Sequence, residues 1–194
     1  MTQVKAEYSV KSILVSLIES IDLYNYLLKN HHRQTCIIAY QIANHYNLDS
    51  SLLSNVVLAS AIHDIGALHV TDRDKLLYVD AMDPEPHQIM GERIIGNFAP
   101  FAHISKIIRH HHIVYQDILD GTINKDDIPF ECYIIHLADR IDVLLETHPG
   151  DTDFVLSEIN KRFGTIFLPE LKDTFHKLAN TTEFWEKNYR CILL

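Results

Sequence analysis

Residues 129–146 have the sequence PFECYIIHLADRIDVLLE, and this stretch decides the fold class. Its apolar residues recur with the helical period, and Pro129 suits a first helical turn. Asp139 falls among Ala, Ile and Leu residues, where an unpaired carboxylate would be costly to bury. We therefore expect a helix on which Asp139 meets a cation or a metal ion.

The same helical period runs along nearly the whole chain. One apolar stripe in residues 12–28 comprises Ile13, Leu17, Ile18, Ile21 and Tyr24. Further helices are expected in residues 33–46, 52–66, 84–98, 100–112, 152–163 and 168–188. No alternating segment is long enough to predict a strand, so the sequence predicts an all-α helical bundle. Residues 113–128 are expected to form a long irregular loop, and such loops are usually functional or mobile.

Length and composition favour one domain that spans residues 1–194, since no linker-like tract divides the chain. The first residues lack the basic and apolar blocks of a signal peptide, and no apolar run approaches the length of a membrane span. Cys36, Cys132 and Cys191 are far apart and form no C-x-x-C pair, which favours reduced thiols. We therefore expect a cytoplasmic protein without a membrane segment.

The charge balance limits the classes of partner. Acidic residues outnumber basic ones by 26 to 17, and the formal net charge is −9. This opposes nucleic-acid binding, which depends on Lys and Arg at the phosphates, although it does not exclude a small phosphate ligand. The chain also contains 13 histidines, and imidazole is the commonest metal ligand in proteins.

Five short segments place His or Asp at helix ends or among apolar residues. They are HHRQT (31–35), AIHDIG (61–66), HQIMG (87–91), HHH (110–112) and HLADRID (136–142). Adjacent residues of a helix do not share a face, so the three histidines of HHH cannot all reach one ion. A mixed set of imidazoles and carboxylates suits iron, manganese, zinc or nickel better than calcium or magnesium.

In this order the segments resemble the HD superfamily of metal-dependent phosphohydrolases, and within it the HD-GYP group of cyclic di-GMP phosphodiesterases. That group's pattern is His-x-x-(Arg/Gln)-(Val/Thr), His-Asp-x-Gly, His-x-x-x-Gly, His-His and Ala-Asp. The matching residues are His31, Gln34, Thr35, His63, Asp64, Gly66, His87, Gly91, His111, His112, Ala138 and Asp139. A closing Gly-x-x-Phe-x-Pro signature is matched by Gly164, Phe167 and Pro169, so the resemblance covers residues 10–185.

The resemblance implies an HD-domain helical bundle with a metal site between helices. It implies two divalent metal ions, iron or manganese first and zinc or nickel as alternatives, with a bridging Asp64 and a hydroxide that attacks phosphorus. The implied metal ligands are His31, His63, Asp64, His87, His111, His112 and Asp139, and the implied catalytic residues are His63 and Asp64. The implied ligand is a small phosphate or nucleotide, with cyclic di-GMP as the first candidate substrate. Sensory or receiver partners are also typical of the family.

The sequence departs from the pattern where the family contacts its substrate. Ala67 replaces the lysine of HD-x-G-Lys, no Gly-Tyr-Pro follows the paired histidines, and Leu27 stands where three-metal members have Glu. Arg33, Lys75 and Arg109 are candidates to replace the missing lysine. The alternative function is a signalling or scaffold domain that binds metal or nucleotide with weak or no turnover.

The sequence leaves two interpretations open for some residues near these motifs and gives one for the others. His32 competes with its neighbour His31 as a ligand, and His110 is expected to stand beside the ligands. Asp142 could orient a ligand histidine or be a plain surface or ion-paired residue. Gly91 is expected to allow close helix packing. The remaining histidines, His45, His69, His103, His136, His148 and His176, are expected to be packed or hydrogen-bonded structural residues.

Overall fold

The computed structural model describes residues 9–22, 30–67 and 85–190, and the secondary-structure elements in these ranges are helices. The ten α-helices are α1 (Val10–Asp22), α2 (His31–His45), α3 (Ser50–Ala61), α4 (Glu85–Gly96), α5 (Ser105–His110), α6 (Tyr115–Leu119), α7 (Phe130–Thr147), α8 (Thr152–Arg162), α9 (Lys172–Ala179) and α10 (Thr182–Arg190). Short 3-10 turns lie at Ala102–Ile104, Lys125–Asp127 and Pro169–Leu171. A single β-bridge between Phe163 and Phe167 is the one strand-like pairing in these ranges. The all-α prediction is confirmed.

Helix α7 lies at the centre of the packing and is buried from Glu131 to Leu145. Helices α2 and α3 pack along it and along each other. Ile38 and Ile42 of α2 meet this core, where each fully buried aliphatic side chain contributes about 1.5–3 kcal/mol. Helix α7 buries carboxylates, including that of Asp139, together with its apolar side chains.

Helix α3 begins two residues before the predicted start at residue 52 and ends before the predicted end at residue 66. The Asp49 carboxylate accepts the N–H groups of Ser51 and Leu52 at 2.9 and 3.0 Å, which satisfies two donors of the first turn. The helix ends at Ala61, and residues 62–66 form a tight turn. The His-Asp dipeptide therefore lies in a turn just beyond the helix, where its side chains can face several neighbouring elements.

Two glycines allow this turn to contact α4. A Cβ on Gly66 would stand 2.0 Å from the carbonyl oxygen of His87 and 2.4 Å from the backbone nitrogen of Gly91. A Cβ on Gly91 would stand 2.7 Å from the Ile108 side chain. The predicted packing role of Gly91 is confirmed, and Gly66 has the tighter environment of the two.

The sequence predicted a long irregular loop over residues 113–128, and this prediction is wrong. These residues contain helix α6, whose first N–H groups find acceptors in the turn before the Pro169–Leu171 segment. Tyr115 donates to the carbonyl of Ile166 at 3.0 Å, and Gln116 donates to that of Thr165 at 2.7 Å. Since the partners lie about 50 residues away, no local pattern in residues 113–128 signals this helix.

The predicted helix over residues 168–188 is divided into a 3-10 turn, α9 and α10. The division lies at Asn180 and Thr181, where the Trp185 indole donates to the carbonyl of Ala179 at 2.7 Å. None of the described helices is long and apolar enough to cross a membrane. The predictions that concern Leu27, His69 and Lys75 fall outside the described residues.

Candidate metal centre

Five elements bring the predicted ligands together between the helices. His31 begins α2, His63 and Asp64 lie in the turn after α3, His87 is on α4, His111 and His112 follow α5, and Asp139 is on α7. All of them are buried except His112, whose side chain is 8% exposed. The cluster is therefore closed to solvent on most sides and opens at His112.

Asp64 faces two histidine pairs through different oxygens. Its Oδ2 lies 3.4 Å from Nε2 of His63 and 3.8 Å from Nε2 of His31. Its Oδ1 lies 3.3 Å from Nε2 of both His87 and His111. Within each pair the two Nε2 atoms are also close, at 3.2 Å for His31 and His63 and 3.3 Å for His87 and His111.

The ligand atoms fall into two groups that share Asp64. In each group the candidate atoms all lie within 4.8 Å of one another. One group contains Asp64, His87, His111 and His112, and the other contains Asp64, His31 and His63. The two sets of atoms have the composition of two metal sites joined by one carboxylate.

Asp139 adds a second carboxylate to the His31 group. Its Oδ1 lies 3.4 Å from Nε2 of His31 and 3.8 Å from Nε2 of His63. Its Oδ2 accepts from Nε and Nη2 of Arg140 at 3.0 and 2.7 Å. Arg140 thus holds one oxygen of Asp139 and leaves the other directed at the histidines.

Hydrogen bonds on the opposite ring nitrogens set the direction of three histidines. The Nδ1 atoms of His63 and His111 contact the carbonyl oxygens of Ser60 and Ile108 at 2.8 and 2.7 Å. A carbonyl can only accept, so both Nδ1 atoms carry a proton, which leaves Nε2 of each ring facing the centre as the atom that would bind a metal. His31 makes the equivalent contact from Nδ1 to Oδ2 of Asp142, at 2.6 Å.

Burial and charge favour the metal-binding protonation states of four ligands, His63, His112, Asp64 and Asp139. Burial lowers the pKa of His63 to about 3 and also lowers the pKa of His112, so both rings are neutral near pH 7. Burial alone would raise the pKa of Asp64 and of Asp139. The contacts with His63, His111 and His87 together outweigh burial at Asp64, those with Arg140 and His31 do so at Asp139, and both pKa values lie well below the usual range. At His31, burial alone would lower the pKa, but the contacts with Asp139 and Asp142 outweigh it and raise the pKa well above its usual value.

Several buried polar atoms at the centre lack hydrogen-bond partners. A metal ion that fits the site should supply the missing partner of each atom. These atoms include Oδ1 of Asp64, Oδ1 of Asp139 and Nε2 of His112. Leaving such atoms buried and unsatisfied costs about 1–3 kcal/mol each. Divalent ions held by imidazole nitrogens and carboxylate oxygens would satisfy them, so the donor set fits iron, manganese, zinc or nickel.

A cavity of 320 Å³ adjoins the open side of the cluster. Its lining includes His112, Gln88 from α4, Arg109 and His110 from α5, and Asp117 from α6. The volume is near the lower end of the range of small-molecule sites, about 300–1,000 Å³. A ligand in this cavity would touch the predicted metal ligand His112.

The comparisons with known proteins agree with this geometry. Residues 28–144 match the model of the HD domain family. The chain belongs to the HD domain family. HD domains depend on metals, and the buried cluster of this one could hold metal.

Two curated proteins are similar to this HD domain. It is 26% identical over 168 residues to the 3'3'-cGAMP-specific phosphodiesterase 1 of Vibrio cholerae, a match that covers 80% of this chain and 38% of that protein. It is 24% identical over 188 residues to the cyclic di-GMP phosphodiesterase of Thermotoga maritima, a match that covers 88% of this chain and 49% of that protein. The chain spans less than half the length of each relative.

The structure separates several alternatives that the sequence left open. His31 directs Nε2 into the cluster, whereas His32 is buried beside it with its ring 5.0 Å from that of His63. Asp142 is fully buried against His31, which supports the orienting role and not the surface one. Arg109 lines the cavity, but the exposed Arg33 is not among the cavity-lining residues in the described part of the HD domain.

Two residues at the centre have roles that sequence reasoning did not assign. Arg140 holds Asp139, and His136 packs its ring against that of His112 with the centroids 5.6 Å apart. The available signal was spacing, because His136 is three residues before Asp139 and shares its face of α7. The sequence assigned His136 only a general structural role.

Proposed function

We propose that this HD domain is a metal-dependent phosphohydrolase, and specifically a phosphodiesterase that acts on a cyclic dinucleotide or a related nucleotide. The observation that carries the proposal is the division of the two Asp64 oxygens between two histidine pairs. A carboxylate buried in this way suits a bridge between two cations, which is the arrangement used for in-line displacement at phosphorus. The names of the two relatives support a cyclic dinucleotide, with cyclic di-GMP and 3'3'-cGAMP as the first candidates.

The two groups of ligand atoms would each hold one divalent ion. His31, His63 and Asp139 would hold the first, His87, His111 and His112 the second, and Asp64 would join them. A metal pair of this kind supplies a water of lowered pKa and neutralises charge on the phosphate oxygens. Iron and manganese are the leading candidates for the metal, with zinc and nickel as alternatives.

The remaining residues of the site orient these ligands and admit the phosphate. Asp142 and the carbonyl of Ser60 hold the rings of the first group, and the carbonyl of Ile108 holds His111. The cavity beside His112 gives the phosphodiester a route to the centre. Arg109 lines this cavity, with its Nε 3.6 Å from Oε2 of Glu92, and is our candidate to bind a phosphate oxygen in place of the missing lysine.

A second candidate function is a signalling domain that binds metal and nucleotide without efficient turnover. The observation that favours it is Ala67, which occupies the position of the family lysine and is fully buried. A methyl group at this position cannot contact a phosphate oxygen by charge. Sensory or receiver partners would then read the ligand-bound state.

Hydrolysis by the metal-loaded full chain distinguishes the two candidates. The protein is purified without oxygen or chelators, loaded with Fe²⁺ or Mn²⁺, and assayed with cyclic di-GMP, 3'3'-cGAMP and bis(p-nitrophenyl) phosphate. The test variant is Asp64→Asn, and the matched control is Asp173→Asn, an exposed acid in the first turn of α9.

We expect turnover that Asp64→Asn abolishes and Asp173→Asn leaves unchanged. Absence of turnover above the Asp64→Asn background with every substrate, in protein that has bound metal, would contradict the enzymatic proposal. Nucleotide binding under those conditions would support the signalling candidate.

A further inference from the structure

We propose that His136 is a positioning residue that fixes the His111–His112 turn in the geometry required for metal binding. The inference rests on the proposed function, because it assigns His136 a task in the same centre. It goes beyond the ligand set, since His136 belongs to neither group of candidate ligand atoms in the described residues.

The turn needs a fixed support because it lies beyond the end of a helix. Helix α5 ends at His110, and His111 and His112 form a turn that the Ile113 N–H closes onto the carbonyl of His110 at 3.0 Å. The ring of His111 is held by its bond to Ile108. Nδ1 of His112 is 3.6 Å from Asp139, which is too long for a hydrogen bond, so packing and the backbone must set its direction.

His136 supplies a hydrogen bond to the backbone of this turn and a packing contact with the ring of His112. Its Nδ1 donates to the carbonyl of Ile113 at 2.9 Å, directly after the ligand pair. Its ring stands at 88° to that of His112, with the centroids 5.6 Å apart. A single side chain therefore holds the backbone beyond His112 and limits the rotation of its ring.

The surroundings of His136 keep it in this one orientation. Phe167, from the Gly-x-x-Phe-x-Pro segment, packs edge-on against its other side, with the ring centroids 5.3 Å apart. His136 is buried, and its Nδ1 carries a proton because the carbonyl of Ile113 can only accept. Because His136 and Asp139 share a face of α7, the helix that supplies one carboxylate also anchors the histidine turn.

The test separates the hydrogen-bond donor of His136 from the space that its side chain fills. His136→Asn places an amide N–H close to the position of Nδ1, whereas His136→Leu fills the space without a donor. His136→Gln is a second negative variant, since its amide extends toward the position of Nε2. Each full-length variant is loaded with Mn²⁺ and with Co²⁺. Elemental analysis gives the metal content, chelator competition gives the affinity and the Co²⁺ absorption spectrum reports ligand geometry, while circular dichroism and the urea midpoint confirm folding.

We expect His136→Leu and His136→Gln to weaken the binding of one ion by about 10–100-fold and to change the Co²⁺ spectrum. His136→Asn should restore part of the affinity, because it returns the donor to the Ile113 carbonyl but not the ring that packs on His112. Wild-type affinity and spectrum in the Leu and Gln variants would overturn the inference, and so would an equal loss in all three variants, because the Nδ1 donor would then not matter. Wild-type protein that binds no metal would overturn the proposed function itself, which keeps the two failures distinct.

Discussion

At the scale of single residues, the two oxygens of Asp64 and the anchored rings of His63 and His111 define the centre. The sequence predicted the ligand set only through the ordered motifs, because spacing alone cannot tell which neighbour in a pair such as His31 and His32 faces inward. The choice depends on Asp142, 111 residues away in the chain, whose carboxylate binds Nδ1 of His31. A contact of that sequence separation leaves no local pattern.

The Asp142 contact gives a first prediction at this scale. Asp142→Asn removes the negative charge beside Nδ1 of His31 and should weaken metal binding at the His31 group by about 10–100-fold. The measurement is chelator competition with Mn²⁺ in the variant and in Asp173→Asn, the exposed control. Unchanged affinity would show that the contact with His31 does not orient the ligand.

Arg109 gives a second prediction through the cavity that it lines. Arg109→Ala should raise KM for a phosphodiester by about tenfold or more, since charge-assisted hydrogen bonds contribute about 1.5–3 kcal/mol. Metal content should stay at the wild-type level because Arg109 is not a ligand. The matched control is Arg93→Ala, an exposed arginine on α4. An equal, small effect of both substitutions on KM would exclude Arg109 from phosphate binding.

At the scale of secondary-structure elements, the centre depends on contacts between turns and helices that are distant in the sequence. The helical period predicted most helices. It could not predict α6, whose first donors bind Ile166 and Thr165, or the break before α10, where Trp185 bonds to Ala179. Both features depend on acceptors that the local pattern does not contain.

The contact of the 62–66 turn with α4 gives a third prediction. Gly66→Ala places a Cβ against backbone atoms of His87 and Gly91, which cannot move without displacing α4. We expect a loss of unfolding free energy of about 3 kcal/mol or more, together with weaker metal binding at His87. Gly91→Ala should cost less, because its Cβ would come under 3.0 Å only to a side-chain atom, Cγ2 of Ile108, and not to backbone.

Urea denaturation of the metal-free and metal-loaded proteins measures both effects. Gly96→Ala is the control, since its nearest new neighbour, the Ser105 Cβ, is at 3.8 Å. If Gly66→Ala were as stable as Gly96→Ala, the close approach of the turn to α4 would be wrong.

At the scale of the whole molecule, charge is distributed unevenly. The chain carries a formal net charge of −9, and its buried centre sets two carboxylates, with pKa values well below the usual range, among imidazole nitrogens suited to cations. Two divalent ions would leave this region positive, so a phosphate could bind within an acidic protein. The sequence indicated the charge and the ligand types. The bridging role of Asp64 came only from the resemblance to the family, because composition and spacing do not show how five separate elements pack.

The most direct test of the shared carboxylate is metal stoichiometry, by elemental mass spectrometry of protein purified without oxygen or chelators. We predict about two ions per chain in the wild type, about one in His31→Ala and close to none in Asp64→Asn. Asp173→Asn should match the wild type. A wild type that binds one ion or none after reconstitution, or an Asp64→Asn variant that keeps both ions, would contradict the two-metal centre.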